Sequence, residues 1–363
     1  MLSFVVFKYF ALVVSLYGAN GKCVAEQDDD DTFFNYHERI GIPTALQIKE
    51  REDKALSAPG LEDRISGGDV VSQDLVPYLA GIQITIRGKS APSLCGSSLL
   101  SPDRLVTAAH CWYDGTSQAT NFTMVFASQY LFYGGVRISA SAVVVHPQWN
   151  PKTFANDIAM IYISEKVEYA TNVQPIGLPT PDLRTETLVG TQVLASGYGK
   201  TSDLEAYVSV ETTVRQVMLT VISEQECKQY YGVLKVRSTN LCTSGKGGVG
   251  ICGGDSGGPL VAIRDGKHVL VGISSFVAKN ACHAGHPAAF TRVSGYLDFI
   301  QEHLMSPPLS TATPTTAVSP ISIVSSTIPA NPTGKRSILP ILSFFQGITP
   351  NFIPEFLGKL TQH

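Results

Sequence analysis

Blocks of basic charge, long apolar runs and closely paired cysteines are all missing from this sequence of 363 residues. The formal net charge is only −3 and no Lys/Arg cluster forms, which argues against a nucleic-acid surface or a polybasic membrane patch and nominates no polyanionic partner. The cysteines lack the paired spacing of a metal site, and the His283/His286 pair reads better as part of a surface loop. From Tyr113 to Ser164 there is no Glu and few carboxylates of any kind, so no calcium loop is evident there. No metal and no cofactor are expected. The apolar stretch after Lys8 is too short to span about 30 Å of hydrocarbon at about 1.5 Å per residue. No transmembrane span is therefore expected.

What is present reads from the amino end as a succession of unlike segments. Met1 to roughly Tyr17 is apolar apart from Lys8 and is followed by small residues at Gly18 to Gly21 and again at Val24-Ala25. That is the shape of a secretory signal, assigned to residues 1–25 with the cut between 19 and 25. Secretion implies an oxidising compartment, where the seven cysteines form a disulfide framework with one left over. A cut after Ala25 removes Cys23 and leaves an even number, so parity favours the later site. Residues 26–64 are polar, with an acidic run from Asp28 to Asp31 and little sustained apolar periodicity, and read as a flexible pro-segment.

From Ile65 the chain changes to short β-rich stretches punctuated by Gly, Pro, Asn and Ser, among them Ile82 to Ile86, Thr123 to Ala127, Val143 to Val145, Ile158 to Ile163, Gln216 to Ile222 and Val269 to Phe276. Such a pattern belongs to a barrel or a sandwich. Tyr296 to Leu304 carries Leu297, Phe299, Ile300 and Leu304 at helical spacing, and the compact domain, residues 65–305, closes there. Residues 306–336 are rich in Ser, Thr and Pro, a linker or an O-glycosylated stalk. The tail, 337–363, is apolar again but broken by Pro340, Pro350 and Pro354. Its residues leave open whether it docks on a partner or lipid surface or forms a poorly ordered end.

Three segments carry chemistry. In Gly253-Gly254-Asp255-Ser256-Gly257-Gly258-Pro259 the glycines permit a tight turn and close approach of amide N–H groups to a bound carbonyl, while Ser256 presents a hydroxyl. Val106-Thr107-Ala108-Ala109-His110-Cys111 sets a histidine among small residues at a strand end, and Asn156-Asp157-Ile158-Ala159-Met160 sets an acid at the start of an apolar strand, where it needs a partner. His37, His146, His268, His303 and His363 have no such setting and read as structural.

In the order His, Asp, Ser, these segments resemble the chymotrypsin-like (trypsin-like) serine peptidases. The resemblance covers Ile65 to about Leu304 and implies an all-β fold of two six-stranded antiparallel barrels with a C-terminal α-helix. It also implies a serine endopeptidase in which Ser256 attacks the scissile carbonyl, His110 takes and later returns the proton, Asp157 fixes the imidazole, and the amides of Gly254 and Ser256 bind the oxyanion. Ser275 is then expected beside Asp157. By the same resemblance Cys95 pairs with Cys111, Cys227 with Cys242, and Cys252 with Cys282. Arg64-Ile65-Ser66-Gly67-Gly68 resembles the family's activation site: cleavage after Arg64 frees an α-amine on Ile65 that pairs with Asp255.

The specificity pocket, by the same alignment, has Gly250 at its base and Val277 and Ala288 in its walls. None is acidic, so a desolvated Lys or Arg would have no counter-charge and small or medium apolar P1 residues are expected, as in elastase-like members. Cys282 to Val293 also resembles the brachyurin-like branch, in which an acid can stand where this chain has Ala288. Because such a pocket disfavours Arg, a trypsin-like activating peptidase is expected as a partner, besides protein or peptide substrates and protein inhibitors. Two other functions fit parts of the sequence, a non-catalytic binding module and a cascade peptidase tethered by its tail, but His110, Asp157 and Ser256 are all retained and no cysteine-rich amino-terminal module precedes the domain. Asn121-Phe122-Thr123 fits an N-glycosylation acceptor and Lys335-Arg336 a processing site.

Overall fold

The computed structural model describes residues 35–57, 73–200, 214–278 and 284–307. The signal segment, Arg64 and Ile65, Cys282, His283 and everything from 308 onward, including most of the linker and all of the tail, lie outside the described residues.

Twelve strands form two closed antiparallel barrels. The first comprises β1 (Leu79–Ile86), β2 (Ser93–Ser101), β3 (Arg104–Thr107), β4 (Ala119–Phe126), β5 (Val136–Val145) and β6 (Ala159–Ile163), closed in the order β1-β2-β3-β6-β5-β4. The second comprises β7 (Gln192–Gly197), β8 (Arg215–Ile222), β9 (Asn240–Thr243), β10 (Pro259–Arg264), β11 (Lys267–Val277) and β12 (Ala288–Arg292), closed in the order β10-β11-β12-β9-β8-β7. Each stretch read as β-rich falls on one of these strands, with Ala127 and Ile158 each one residue outside β4 and β6. The alternation is visible in β1, where Ile82, Ile84 and Ile86 point inward and Thr85 outward. Ile82 stands opposite Cys95 on one side and Met124 on the other, and Val106 of β3 opposite Met160 of β6. Closure leaves neither sheet an open edge.

Helix α1 (Ile42–Ser57) precedes the barrels, and α2 (Pro181–Thr185), α3 (Glu224–Tyr231) and α4 (Leu297–Met305) follow in chain order. Ser223 caps α3 by accepting from the Glu226 amide at 3.1 Å. Cys227 of that helix is bonded to Cys242 of β9, and Cys95 to Cys111. Cys252 is also disulfide-bonded; its expected partner is outside the described residues. At the end of α4 the Arg104 guanidinium donates to the carbonyls of His303 and Ser306 at 3.1 and 3.0 Å, satisfying the terminal acceptors, and lies 4.0 Å over the Tyr162 ring. That pins the closing helix to the first barrel.

The segment read as flexible is helical between residues 36 and 57, a correction with a clear cause. A π-helical turn over His37–Gly41 runs into α1, whose buried residues are Thr44, Ala45, Ile48, Arg51 and Glu52. Their i, i+1, i+4, i+7, i+8 spacing is one face of a helix. Three of those five are polar, which is why composition alone reads the stretch as solvated. On the outer face Lys49–Asp53 and Glu50–Lys54 form i,i+4 ion pairs. No helix among the described residues is long and apolar enough to cross a membrane.

Candidate active site

His110 lies in a short 3-10 turn directly after β3, and Asp157 lies just before β6, the strand paired with β3, so the two meet at one end of the first barrel. The Asp157 carboxylate accepts from the His110 backbone N–H at 2.9 Å through Oδ1 and from imidazole Nδ1 at 2.8 Å through Oδ2. With Nδ1 holding the proton, Nε2 is the basic nitrogen. Ser275 donates from Oγ to the same Oδ2 at 2.6 Å. Its aim has a backbone origin: the β11–β12 register shifts between Ser274 and Phe276, and the bulge turns Ser275 out of the ladder toward Asp157. Thr291 Oγ1 donates to the Asp157 carbonyl at 2.7 Å, and Tyr296 OH to Asn156 Oδ1 at 2.9 Å. The second barrel thus holds an acid that belongs to the first.

Ser256 is delivered by the glycine turn that enters β10. The Gly96 amide donates to the Ser256 carbonyl at 2.7 Å and the Gly257 amide to the Ser274 carbonyl at 2.8 Å, bonds that fasten the turn to β2 and β11. Gly257 has φ +77°, and a Cβ there would lie 2.1 Å from Thr107 Oγ1, so only glycine lets the two barrels close. Gly254 has φ +106°. Among the described residues, neither its amide nor that of Ser256 donates to another backbone carbonyl.

Asp255 lines a cavity of about 200 Å³ together with Gly197, Gly199, Val217, Gly250 and Ile251. Its carboxylate accepts from the amides of Gly199 at 2.8 Å and Cys252 at 2.9 Å. Burial pushes this carboxyl up to about 6, against the pull of those two amides. Gly197 and Gly199 were not singled out in the sequence. A Cβ on either would lie within 2.5 Å of the Asp255 carboxylate, and glycine beside an invaginated acid is the signal they offer.

Val277 and Ala288 stand directly opposite each other on β11 and β12. Ile251 packs in the same apolar cluster as this pair, whereas Gly250 lines the cavity that reaches Asp255. Asn121 lies within β4, half-buried, its amide donating to Thr123 Oγ1 at 3.4 Å. Cys95, Cys111 and His110 cluster, but the two sulfurs are joined in a disulfide and imidazole Nδ1 is bonded to Asp157, so neither sulfur is a free thiolate.

The residue least anticipated is Tyr36. Its side chain is fully buried, with the ring edge-on to the His110 imidazole at 4.9 Å between centroids. Its hydroxyl donates to the Leu94 carbonyl at 2.8 Å and lies close to the Ser256 side chain. Burial raises the phenol well above its ordinary range. His110 is 0% and Ser256 5% exposed.

A family model described as Trypsin matches residues 65–300. The chain belongs to the trypsin family and is a serine endopeptidase. Among trypsin-family relatives, a collagenase of Hypoderma lineatum is 32% identical over 243 residues, 67% of this chain and 88% of that protein. Brachyurin of Leptuca pugilator is 37% identical over 212 residues, 57% of this chain and 86% of that protein. The solved structure of HL collagenase superposes with a TM-score of 0.59 at 30% identity, covering 67% of this chain and all of that one. The trypsin-family fold expected from the motifs, with its barrels and closing helix, is the fold observed.

Proposed function

We propose that this chain is the zymogen of a secreted endopeptidase that forms an acyl-enzyme on Ser256 and cleaves after small or medium apolar residues. The observation that carries the catalytic part is the Asp157 carboxylate, which takes three donors, two of them from His110. That arrangement holds the imidazole with Nδ1 protonated and leaves Nε2 as its basic nitrogen. Nε2 then removes the Ser256 proton as Oγ attacks and passes it to the leaving amine, while Asp157 stabilises the imidazolium formed between. The oxyanion falls to the amides of Gly254 and Ser256, which no backbone carbonyl among the described residues occupies.

Activation by cleavage after Arg64 is supported by the cavity in front of Asp255. A buried carboxylate whose partners among the described residues are two amides favours its protonated form, and a cation entering the cavity restores the charge. The α-amine of Ile65 is the cation that cleavage creates. The apolar preference is supported by Val277 and Ala288, whose side chains face each other where an open slot would need glycines. Both readings rest on one experiment: treat the purified chain with trypsin, remove the trypsin, and profile P1 preference beside a Ser256→Ala control. Ser256-dependent cleavage after Ala, Val or Leu is expected. Preference for Lys or Arg would overturn the pocket assignment, and spontaneous conversion at Arg64 without a trypsin-like contaminant would overturn activation in trans.

A further inference from the structure

Residues 36–57 lie across the catalytic groups and are anchored well beyond them. At one end Tyr36 covers His110 and Ser256 as described, and the His37 amide donates to Asp114 Oδ2 at 2.9 Å while its Nδ1 meets Ser93 Oγ at 2.9 Å. In the middle, a Cβ placed on Gly253 would lie 2.8 Å from Ile40 Cγ2, and one on Gly254 3.3 Å from Thr44 Cγ2. The segment therefore fills the space in front of the oxyanion amides. At the far end the Glu52 carboxylate accepts from the Leu131 and Phe132 amides, both at 2.7 Å, and Asp53 accepts from the Tyr133 hydroxyl. Close approach depends on Gly41, where a Cβ would lie 2.0 Å from Ser93 Oγ.

We propose that the face of the peptidase formed by the triad, Ser93, Asp114 and the Leu131-Phe132 amides is a binding surface for this helical segment, which inhibits the enzyme both before cleavage at Arg64 and afterwards as a separate, non-covalently bound chain. The proposal rests on the peptidase reading above. What meets Ser256 is a phenol, which offers no acyl carbon to attack, and the backbone there is helical, with φ −50° and ψ −48° at Tyr36, not extended. The segment is accordingly an occupant and not a substrate. Tyr36 gives its hydroxyl proton to Leu94 and lays its ring against His110, so the phenol takes the place beside Ser256 that a substrate would fill.

Cleavage after Arg64 cuts the chain beyond Ser57, the last residue of α1, and removes none of these contacts. No cysteine lies between 35 and 57 to tether the segment. Severing the chain nevertheless ends the high effective concentration that a covalent link provides, and the free segment must refold its helix to bind again. Inhibition after cleavage thus becomes dependent on concentration, and dilution completes activation.

The test uses the full chain cleaved by trypsin and freed of it, without separating the segment. Specific activity on a peptide substrate is followed from micromolar to nanomolar enzyme, alongside co-elution of the segment on a sizing column. The expected result is specific activity rising at least about tenfold on dilution, with co-elution at high concentration. In Tyr36→Ala and Gly41→Ala chains, whose substitutions leave the peptidase domain untouched, activity should be high throughout and co-elution weak. Specific activity independent of dilution and equal in all three chains overturns the proposal, as does co-elution without inhibition. If no chain hydrolyses any peptide the peptidase reading fails, and co-elution still decides whether the segment binds this face.

Discussion

Replacing Asp157 by Asn keeps the shape of the side chain and removes one acceptor. Three donors converge on the carboxylate: the His110 amide at 2.9 Å, His110 Nδ1 at 2.8 Å and Ser275 Oγ at 2.6 Å. The amide of Asn has one oxygen, so its NH₂ must face either the His110 backbone N–H or the imidazole together with Ser275. The second arrangement keeps the backbone bond and turns the ring into the tautomer with the proton on Nε2, which can no longer accept from Ser256. Loss of the correct tautomer at such a site costs about 10⁴-fold in kcat, or about 5.5 kcal/mol at about 1.36 kcal/mol per decade. Stability should change much less, since packing is preserved and Thr291 still holds the Asp157 carbonyl. The assay is kcat/KM on an apolar-P1 peptide after trypsin activation and removal of the pro-segment, with thermal unfolding as the control. A loss under about tenfold in a fully folded variant would refute the proposed role of the carboxylate.

Other expectations follow from the same geometry. Val277→Gly should deepen the pocket and raise kcat/KM for Phe or Tyr relative to Ala at P1 by about tenfold or more; unchanged ratios would detach Val277 from specificity. Because burial raises Asp255 to about 6, above its ordinary value of 3.8, the uncleaved folded chain binds the extra proton and loses stability as pH rises from about 4 through about 6. Glu52, pushed up to about 7 by burial, contributes a drop of the same sign, so the measurement is the difference between parent and Asp255→Asn unfolding temperatures across that range. A difference that does not vary with pH would contradict the placement of Asp255. Removing the Cys227–Cys242 bridge by a double Ala substitution should cost about 3 kcal/mol for its loop of 15 residues, read as a lowered denaturation midpoint; an unchanged midpoint would show that α3 is held by packing alone.

Much of the candidate site was legible because its members sit in short motifs whose local chemistry is distinctive: a serine in a glycine turn, a histidine among small residues, an acid heading an apolar strand. The strands were legible from alternation, as in Ile82, Ile84 and Ile86. What escaped is non-local. The helix over residues 42–57 buries Thr44, Arg51 and Glu52 against groups far along the chain, and Glu52 finds its donors about 80 residues away at Leu131 and Phe132. Read without those partners, its charges look solvated. Tyr36 is similar, an aromatic in a polar stretch whose significance lies wholly in what it touches. Gly197 and Gly199 matter only because Asp255 folds against them.

The central claim is that Ser256 is a nucleophile made competent by cleavage after Arg64 and departure of the segment that covers it. Active-site titration with an acylating peptide reagent tests it most directly, on the intact chain, on the chain cleaved by trypsin and separated from its pro-segment, and on the cleaved Ser256→Ala chain. The account predicts stoichiometric acyl-enzyme in the second alone. Acylation of the intact chain at the same rate, or of the Ser256→Ala chain to the same extent, would contradict it.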